Sequence, residues 1–234
     1  MKYFLRKFLG SKYLYYNTIF WKIIALIYPI VFKRKGTLLY AGVNLGESFQ
    51  KIFFKYEKVY GFEPNPENFK KLNYFQKFKN VKIYNLALSD KEGETNFFLP
   101  DNSNNVSATL AGFSEVSEFK TNRIIKVKTI NLLNFLVQNN INYIDFYISD
   151  IEGYDFKVLS TIKSYIDSKK IKLIQVEALN NEVENHYQNT VNFERDFDDL
   201  LKKNYTKLGR GSGFVKIGDD FSASSLDILY MAKV

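Results

Sequence analysis

Cysteine is missing from all 234 residues, so neither disulfides nor cysteine-based metal and nucleophile chemistry is open to this chain. Histidine occurs once, as His186, leaving a single side chain whose ordinary pKa suits proton transfer near neutrality. Long apolar runs are also lacking from the opening segment, MKYFLRKFLGSKYLYYNTIFWKIIALIYPIVFKRK. Its longest uncharged stretch, Ile23 to Phe32, spans 10 residues and contains Pro29. A spanning helix needs about 20. A secretory signal would place small residues after that run, where Lys33-Arg34-Lys35 stands instead. A cytoplasmic location is therefore expected. Residues 1–35 read as a basic, aromatic helical extension that packs on the following domain or on a second subunit of a homodimer. An interfacial helix on an anionic membrane is the less favoured alternative.

Acidic residues are fewer than basic ones, 25 against 33, for a net charge of +8. Such an excess suits anionic substrates, nucleic acid or an anionic membrane. The basic residues are spread as lysines among Asn, Tyr and Phe, and no nucleic-acid-binding signature accompanies them. A solvated basic surface with no nucleic-acid partner is the expected outcome. No internal repeat or linker divides the chain, so residues 36–234 are expected to form one domain around one core.

What the chain does have is concentrated first in Leu38 to Phe69, LLYAGVNLGESFQKIFFKYEKVYGFEPNPENF. An apolar run leads into a turn at Gly42, Asn44 and Gly46. Phe49, Ile52 and Phe53 follow at helical spacing, and a second apolar run ends in Glu63-Pro64. This is strand, glycine turn, helix, strand, with an acid at the second strand's tip. In a doubly wound sheet that acid accepts hydrogen bonds from a ribose. A dinucleotide site would want glycines in G-x-G-x-x-G, whereas these positions hold Gly42, Asn44 and Glu47. Glu47 at the helix entrance would repel a pyrophosphate but suits a cation such as the ammonium of a methionine moiety. The ligand expected is S-adenosylmethionine.

Further along, Pro66 to Phe78 reads as a helix and Val81 to Leu86 as a strand. The loop Ala87-Leu88-Ser89-Asp90 follows, where Ser89 and Asp90 are ligand contacts or turn residues. Thr95 to Leu99 and Ile124 to Thr129 alternate as strands, with an Asn- and Ser-rich loop over 101–123 near the site. Ile144 to Ile148 reads as a buried strand ending in Asp150 and Glu152, acids that need work or partners at such a position. Tyr154 to Ile166 reads as a helix, Lys172 to Val176 as a strand ending in Glu177, and Phe193 to Lys203 as the last helix. Tyr205 to Leu208 and Leu226 to Ala232 form an antiparallel terminal pair. Their Gly209, Gly211 and Gly213 linker reads as a flexible loop rather than a phosphate cradle.

These residues resemble the FkbM family of S-adenosylmethionine-dependent O-methyltransferases. Gly42-Val43-Asn44-Leu45-Gly46-Glu47 is similar to its G-A-N-x-G-E, and Val59 to Phe69 to its V-x-x-F-E-P-x-P-x-x-F. Asn85 to Gly93 resembles N-x-A-L-S-D-x-x-G, Asp150 to Gly153 resembles D-x-E-G, and Glu177 falls at a family glutamate. The chain departs at Tyr40, where the family commonly has Asp, at Ile148, where it has Lys, and at Asn131, often an acid. The resemblance implies a Rossmann-like class I methyltransferase fold, a mostly parallel seven-stranded sheet with an antiparallel terminal strand and helices on both faces. It implies cofactor contacts from Gly42, Asn44, Gly46, Glu47, Glu63, Pro64, Asn65, Ala87, Ser89, Asp150 and Glu152. Its implied acceptors are sugars of surface glycans or other small hydroxylated metabolites. Asp150, Glu177 and His186 are the candidate proton acceptors, and no metal site is singled out. Two other readings remain, an NAD-type oxidoreductase and a non-catalytic nucleotide-binding protein.

Overall fold

A computed structural model describes residues 11–100, 107–117, 120–211 and 225–234. Its centre is set by alternation in the first strand, β1 (Thr37–Ala41). Leu38 and Tyr40 point to one face and Leu39 and Ala41 to the other, and all four are buried. Strands covered on both faces read as nearly continuous apolar runs, which is what a parallel sheet requires. β1 pairs in parallel with β2 (Lys58–Phe62) on one side and β7 (Ile144–Ser149) on the other. β3 (Val81–Tyr84) and β8 (Ile171–Leu179) extend the parallel set outward. β10 (Ser225–Ala232) then joins β8 antiparallel, and β9 (Tyr205–Gly211) pairs antiparallel with β10. The order β3-β2-β1-β7-β8-β10-β9 is the seven-stranded sheet that the resemblance implied.

Helices α3 (Leu132–Gln138), α4 (Asp155–Thr161), α5 (Lys163–Asp167) and α6 (Glu194–Leu201) cover the face carrying Leu39, Ala41, Phe62 and Tyr147. The opposite face is closed by aromatic rings. Phe49, Phe53 and Phe75 meet edge-on or stacked with centroids 5.1–5.5 Å apart. The expected helix after the glycine turn is not one helix but two 3-10 turns, Phe49–Lys51 and Phe53–Lys55. Both Phe53 and Phe54 are buried there, and the tighter 3-10 turns let adjacent rings enter the core together. Likewise the expected helix at 66–78 is α2 (Pro66–Lys71) continued by a 3-10 stretch, and that at 154–166 breaks between α4 and α5 at Ile162.

The expected loop at Ala87–Ser89 is a short strand, β4. It pairs with β6 (Thr121–Asn131), which pairs with β5 (Gly93–Pro100), to make a separate three-stranded sheet. Of the expected loop at 101–123, residues 107–117 pack inward, with Ser107, Thr109, Ala111 and Ser117 buried. Gly213 lies outside the described residues, while Gly209 and Gly211 are part of β9. The first described helix, α1 (Ser11–Val31), lies against the 3-10 turns, with Trp21 stacked on Phe54.

Candidate active site

Strand order reverses between β1 and β7, and the crevice beyond the strands' carboxyl ends at such a point is where doubly wound sheets bind ligands. Gly42 opens it. Its φ is +81°, and a Cβ there would sit 1.9 Å from the Asp150 carbonyl oxygen, so only glycine lets the two loops approach. Asn44 is also left-handed, at φ 52°, a conformation that asparagine tolerates. Its backbone N–H donates to Glu63 Oε2 at 2.7 Å, and Asn65 N–H donates to Glu63 Oε1 at 2.8 Å. Glu63 therefore ties the glycine turn to the tip of β2. Burial raises its carboxyl to about 7, against the opposing pull of the two backbone donors. Asn85 Nδ2 braces the same tip from below by donating to the carbonyls of Glu63 and Pro64.

Beside this brace lies a cleft with one polar and one apolar wall. Gly42, Asn44, Glu63, Pro64 and Asn65 form its polar wall, and Asp150 and Glu152 close one end. Its apolar wall comes from Phe62, Leu88, Phe97 and Leu110, the last two supplied by β5 and the 107–117 segment. Asn65 Oδ1 accepts from Glu67 N–H as an N-cap, yet Asn65 Nδ2 is buried with no partner. A buried donor left open on a pocket wall is a place for a ligand acceptor.

The acid end is assembled from distant segments. Asp150 follows β7 and its N–H donates to the Ala41 carbonyl. Glu152 takes the left-handed φ of 52°, and Gly153 at +87° lies flat against the Tyr187 ring. Tyr187 Oη donates to Glu152 Oε2 at 3.1 Å. Glu177, on β8, completes a group whose carboxylate oxygens lie within 4.8 Å of one another. That spacing suits a shared proton or a divalent cation. Asp150 keeps an open side toward the cleft, although protein surrounds it otherwise. All three carboxyls are pushed up by burial first; the charge of Asp227 adds to it at Asp150, that of Asp150 at Glu152, and those of Glu152 and Asp150 at Glu177. The Asp150 and Glu177 carboxylates lie within 4.8 Å of each other, and Glu177 Oε2 is buried with no hydrogen-bond partner. Beneath them Asp155 accepts from Ser149 Oγ at 2.5 Å and from Ile151 N–H at 3.2 Å, and burial raises it to about 7.

A family model, the methyltransferase FkbM domain, matches residues 41–205 and so takes in both the glycine turn and the acid group. The chain belongs to the FkbM methyltransferase family. No curated protein matches it. Among solved structures, the N-methyltransferase NodS from Bradyrhizobium japonicum WM9 is similar at 8% identity and a TM-score of 0.46, covering 97% of this chain and 99% of that one. Magnesium protoporphyrin IX methyltransferase from Synechocystis PCC 6803, with S-adenosylmethionine bound, is similar at 9% identity and a TM-score of 0.46, covering 93% and 80%. An rRNA methylase from Streptococcus thermophilus is similar at 9% identity and a TM-score of 0.45, covering 92% and 95%.

S-adenosylmethionine is the methyl donor of this FkbM methyltransferase. The cleft fits it chemically. Acceptors at Glu63, the open donor of Asn65, an apolar sleeve and an acid end match ribose, adenine and a cationic methionine moiety in turn.

Of the residues expected on the cofactor, Gly42, Asn44, Glu63, Pro64, Asn65, Ala87, Asp150 and Glu152 line the cleft. Gly46, Glu47 and Ser89 do not. Gly46 is buried over Phe75 and serves the turn, with φ +82°. Glu47 faces solvent, because no α-helix starts there to aim it inward. The negative end of the cleft is Asp150 and Glu152 instead. Ser89 turns from the cleft toward Asp90, donating to its Oδ1 at 3.2 Å. His186 is half-buried and is not among the cleft-lining residues, although the next residue, Tyr187, reaches Glu152. Leu88, Leu110, Asp155 and Tyr187 were missed, and only Asp155, an acid within an apolar helix face, carried a visible signal. At the departures from the family pattern, Tyr40 and Ile148 are adjacent buried residues on β1 and β7. Asn131 caps α3 and donates to the Asp90 carbonyl.

Proposed function

We propose that this methyltransferase transfers methyl groups to a hydroxyl oxygen of a sugar, a glycan precursor or a similar small hydroxylated metabolite. The observation that carries this reading is the acid group at the end of the donor cleft. Carboxylates with raised proton affinity suit an acceptor that must lose a proton as it reacts. They also pair with the vicinal hydroxyls of a neutral sugar. An amine there would be held as an unreactive ammonium by the same charges.

Bound S-adenosylmethionine supplies a methyl group already activated on a sulfonium. The chain's own work is to hold the acceptor oxygen, exclude water and take its proton. Asp150, open to the cleft, is the proton acceptor, at a carboxylate oxygen. Glu177, its carboxylate within 4.8 Å of that of Asp150, completes the acid end, and Asp150 passes the proton to solvent through its open side. Glu152 is fixed by Tyr187 and orients the acceptor. Asp150 and its neighbours shift toward their ionised forms when a cation lies beside them, so proton acceptance is switched on by donor binding. Positioning supplies much of the rate, and the base adds a factor of roughly 10²–10⁴.

The test is incubation of the purified protein with labelled S-adenosylmethionine and panels of nucleotide sugars, free sugars, small alcohols and amines. Mass spectrometry then locates the methyl group. Methylation on oxygen supports the reading, and methylation on nitrogen alone overturns it.

A further inference from the structure

Helix α1 is apolar on both sides, and the domain uses only one of them. Trp21, Ile24, Ala25 and Tyr28, at helical spacing, form the inner stripe. Ala25 is 1% exposed, and Trp21 and Tyr28 both contact the Phe54 ring, with centroids 6.0 and 5.1 Å away. Arg34 locks the helix end by donating to the carbonyls of Phe54 and Ala25. The outer stripe, Phe20, Ile23, Ile27 and Ile30, with Leu26 and Val31 beside it, stays bare. Ile30 is 84% exposed, and Leu26 and Val31 are each 62% exposed. Phe32, 57% exposed, continues the stripe, and elsewhere among the described residues the large exposed apolar side chains are spaced singly along the sequence. A contiguous bare stripe marks a surface that something covers.

The charge of the chain says what. Lysines run throughout the sequence, but their excess over acids does not. Residues 1–35 hold eight Lys and Arg and no Asp or Glu, and residues 36–234 hold 25 basic and 25 acidic residues. The whole net charge of +8 thus belongs to the segment that carries the bare stripe. A second copy of the chain fits poorly, because pairing these faces would bring two such segments together with no acid on either. Nucleic acid would meet the charge and leave the apolar stripe wet. No described helix is long and apolar enough to cross a membrane, and the inner stripe of α1 is already taken by the domain.

We propose that the outer face of α1 is the seat of an anionic lipid bilayer, with the helix lying in the plane of the membrane interface. The apolar stripe enters the acyl boundary, while the exposed Lys33 and Lys35 at the helix end meet anionic headgroups. Because α1 is fixed to the sheet through Phe54 and Arg34, docking also fixes the orientation of the catalytic domain on the membrane.

Sedimentation of the full-length protein with lipid vesicles tests this. Binding is expected to vesicles mixing phosphatidylcholine with phosphatidylglycerol, to weaken in high salt, and to be far weaker with phosphatidylcholine alone. Ile23→Ser combined with Ile27→Ser and Ile30→Ser should lower vesicle affinity by about tenfold or more, with S-adenosylmethionine affinity unchanged. Lys33→Glu with Lys35→Glu, both exposed, should do the same and disturbs no packed residue. Absence of binding to the mixed vesicles, or equal binding to both vesicle types, overturns the proposal. So does dimerisation that the isoleucine variant abolishes, or nucleic-acid binding that it leaves intact.

Discussion

Replacing Glu63 is the sharpest probe of the donor site, because the side chain has two jobs that separate experimentally. Glu63 is 4% exposed and accepts the backbone N–H groups of Asn44 and Asn65. Glu63→Ala leaves both without their acceptor. An unsatisfied buried polar group costs about 1–3 kcal/mol, so the free protein should lose about 2–6 kcal/mol, less whatever water in the vacated space restores. The second job, the one under test, is to accept from the ribose of S-adenosylmethionine. Charge-assisted hydrogen bonds contribute about 1.5–3 kcal/mol, a loss of roughly tenfold to a hundredfold in affinity. Glu63→Gln separates the two jobs. The amide keeps one acceptor for the turn but loses the charge, and resembles the protonated acid. Since burial raises Glu63 to about 7, donor affinity in the unmodified protein should weaken as pH falls through that value. Binding at lower pH should release a proton. Both effects should shrink in Glu63→Gln to the part that Asp150 and Glu152 contribute. Titration calorimetry in buffers of different ionisation heat measures affinity and proton release together. Equal affinities for the unmodified protein, Glu63→Gln and Glu63→Ala would refute placement of Glu63 on the ribose.

Asp150→Asn should cut single-turnover methyl transfer at saturating donor by about a hundredfold or more and should also weaken donor binding, because its charge faces the donor's cationic end, while His186→Ala costs less on both counts. A dead His186→Ala beside an active Asp150→Asn would reverse those roles. The free protein should melt at lower temperature as pH rises from the ordinary carboxylate range through about 7. Glu63 and Asp155 hold protons there that the unfolded chain has already released, so their contribution is complete at low pH and lost as pH rises. A melting temperature that climbs over this window, measured without ligand, contradicts the crowded-acid account. Gly153→Ala should destabilise by about 2–4 kcal/mol, since left-handed strain adds to overpacking. Its Cβ would lie 2.3 Å from the Tyr187 ring, and unchanged denaturant midpoints would show that the loop yields freely.

The sequence by itself determined most of the strands and half of the candidate donor cleft, because those features are set by short-range rules, while the order of the sheet came from the family resemblance. Alternation in Leu38 to Ala41 fixes which side chain takes which face of β1. The left-handed turn at Gly42 and Asn44 and the acid at Glu63 follow within one strand–turn–strand unit. It misplaced Glu47 because Phe49, Ile52 and Phe53 have helical spacing, which an adjacent pair of buried rings, Phe53 and Phe54, overrode by selecting 3-10 turns. Only the tertiary structure brought Glu177 and Tyr187 to Asp150 and Glu152, through the pairing of β7 with β8 and the return of the 180–193 segment over it. Only it turned β5 and residues 107–117 into the apolar wall of the cleft. Whether each face of α1 is covered also depended on where the 3-10 turns put Phe54, not on the helix's own pattern. Local sequence sets backbone preference and alternation. Which distant side chains meet is decided by competition for the same buried surface, and that is settled only when the whole chain packs.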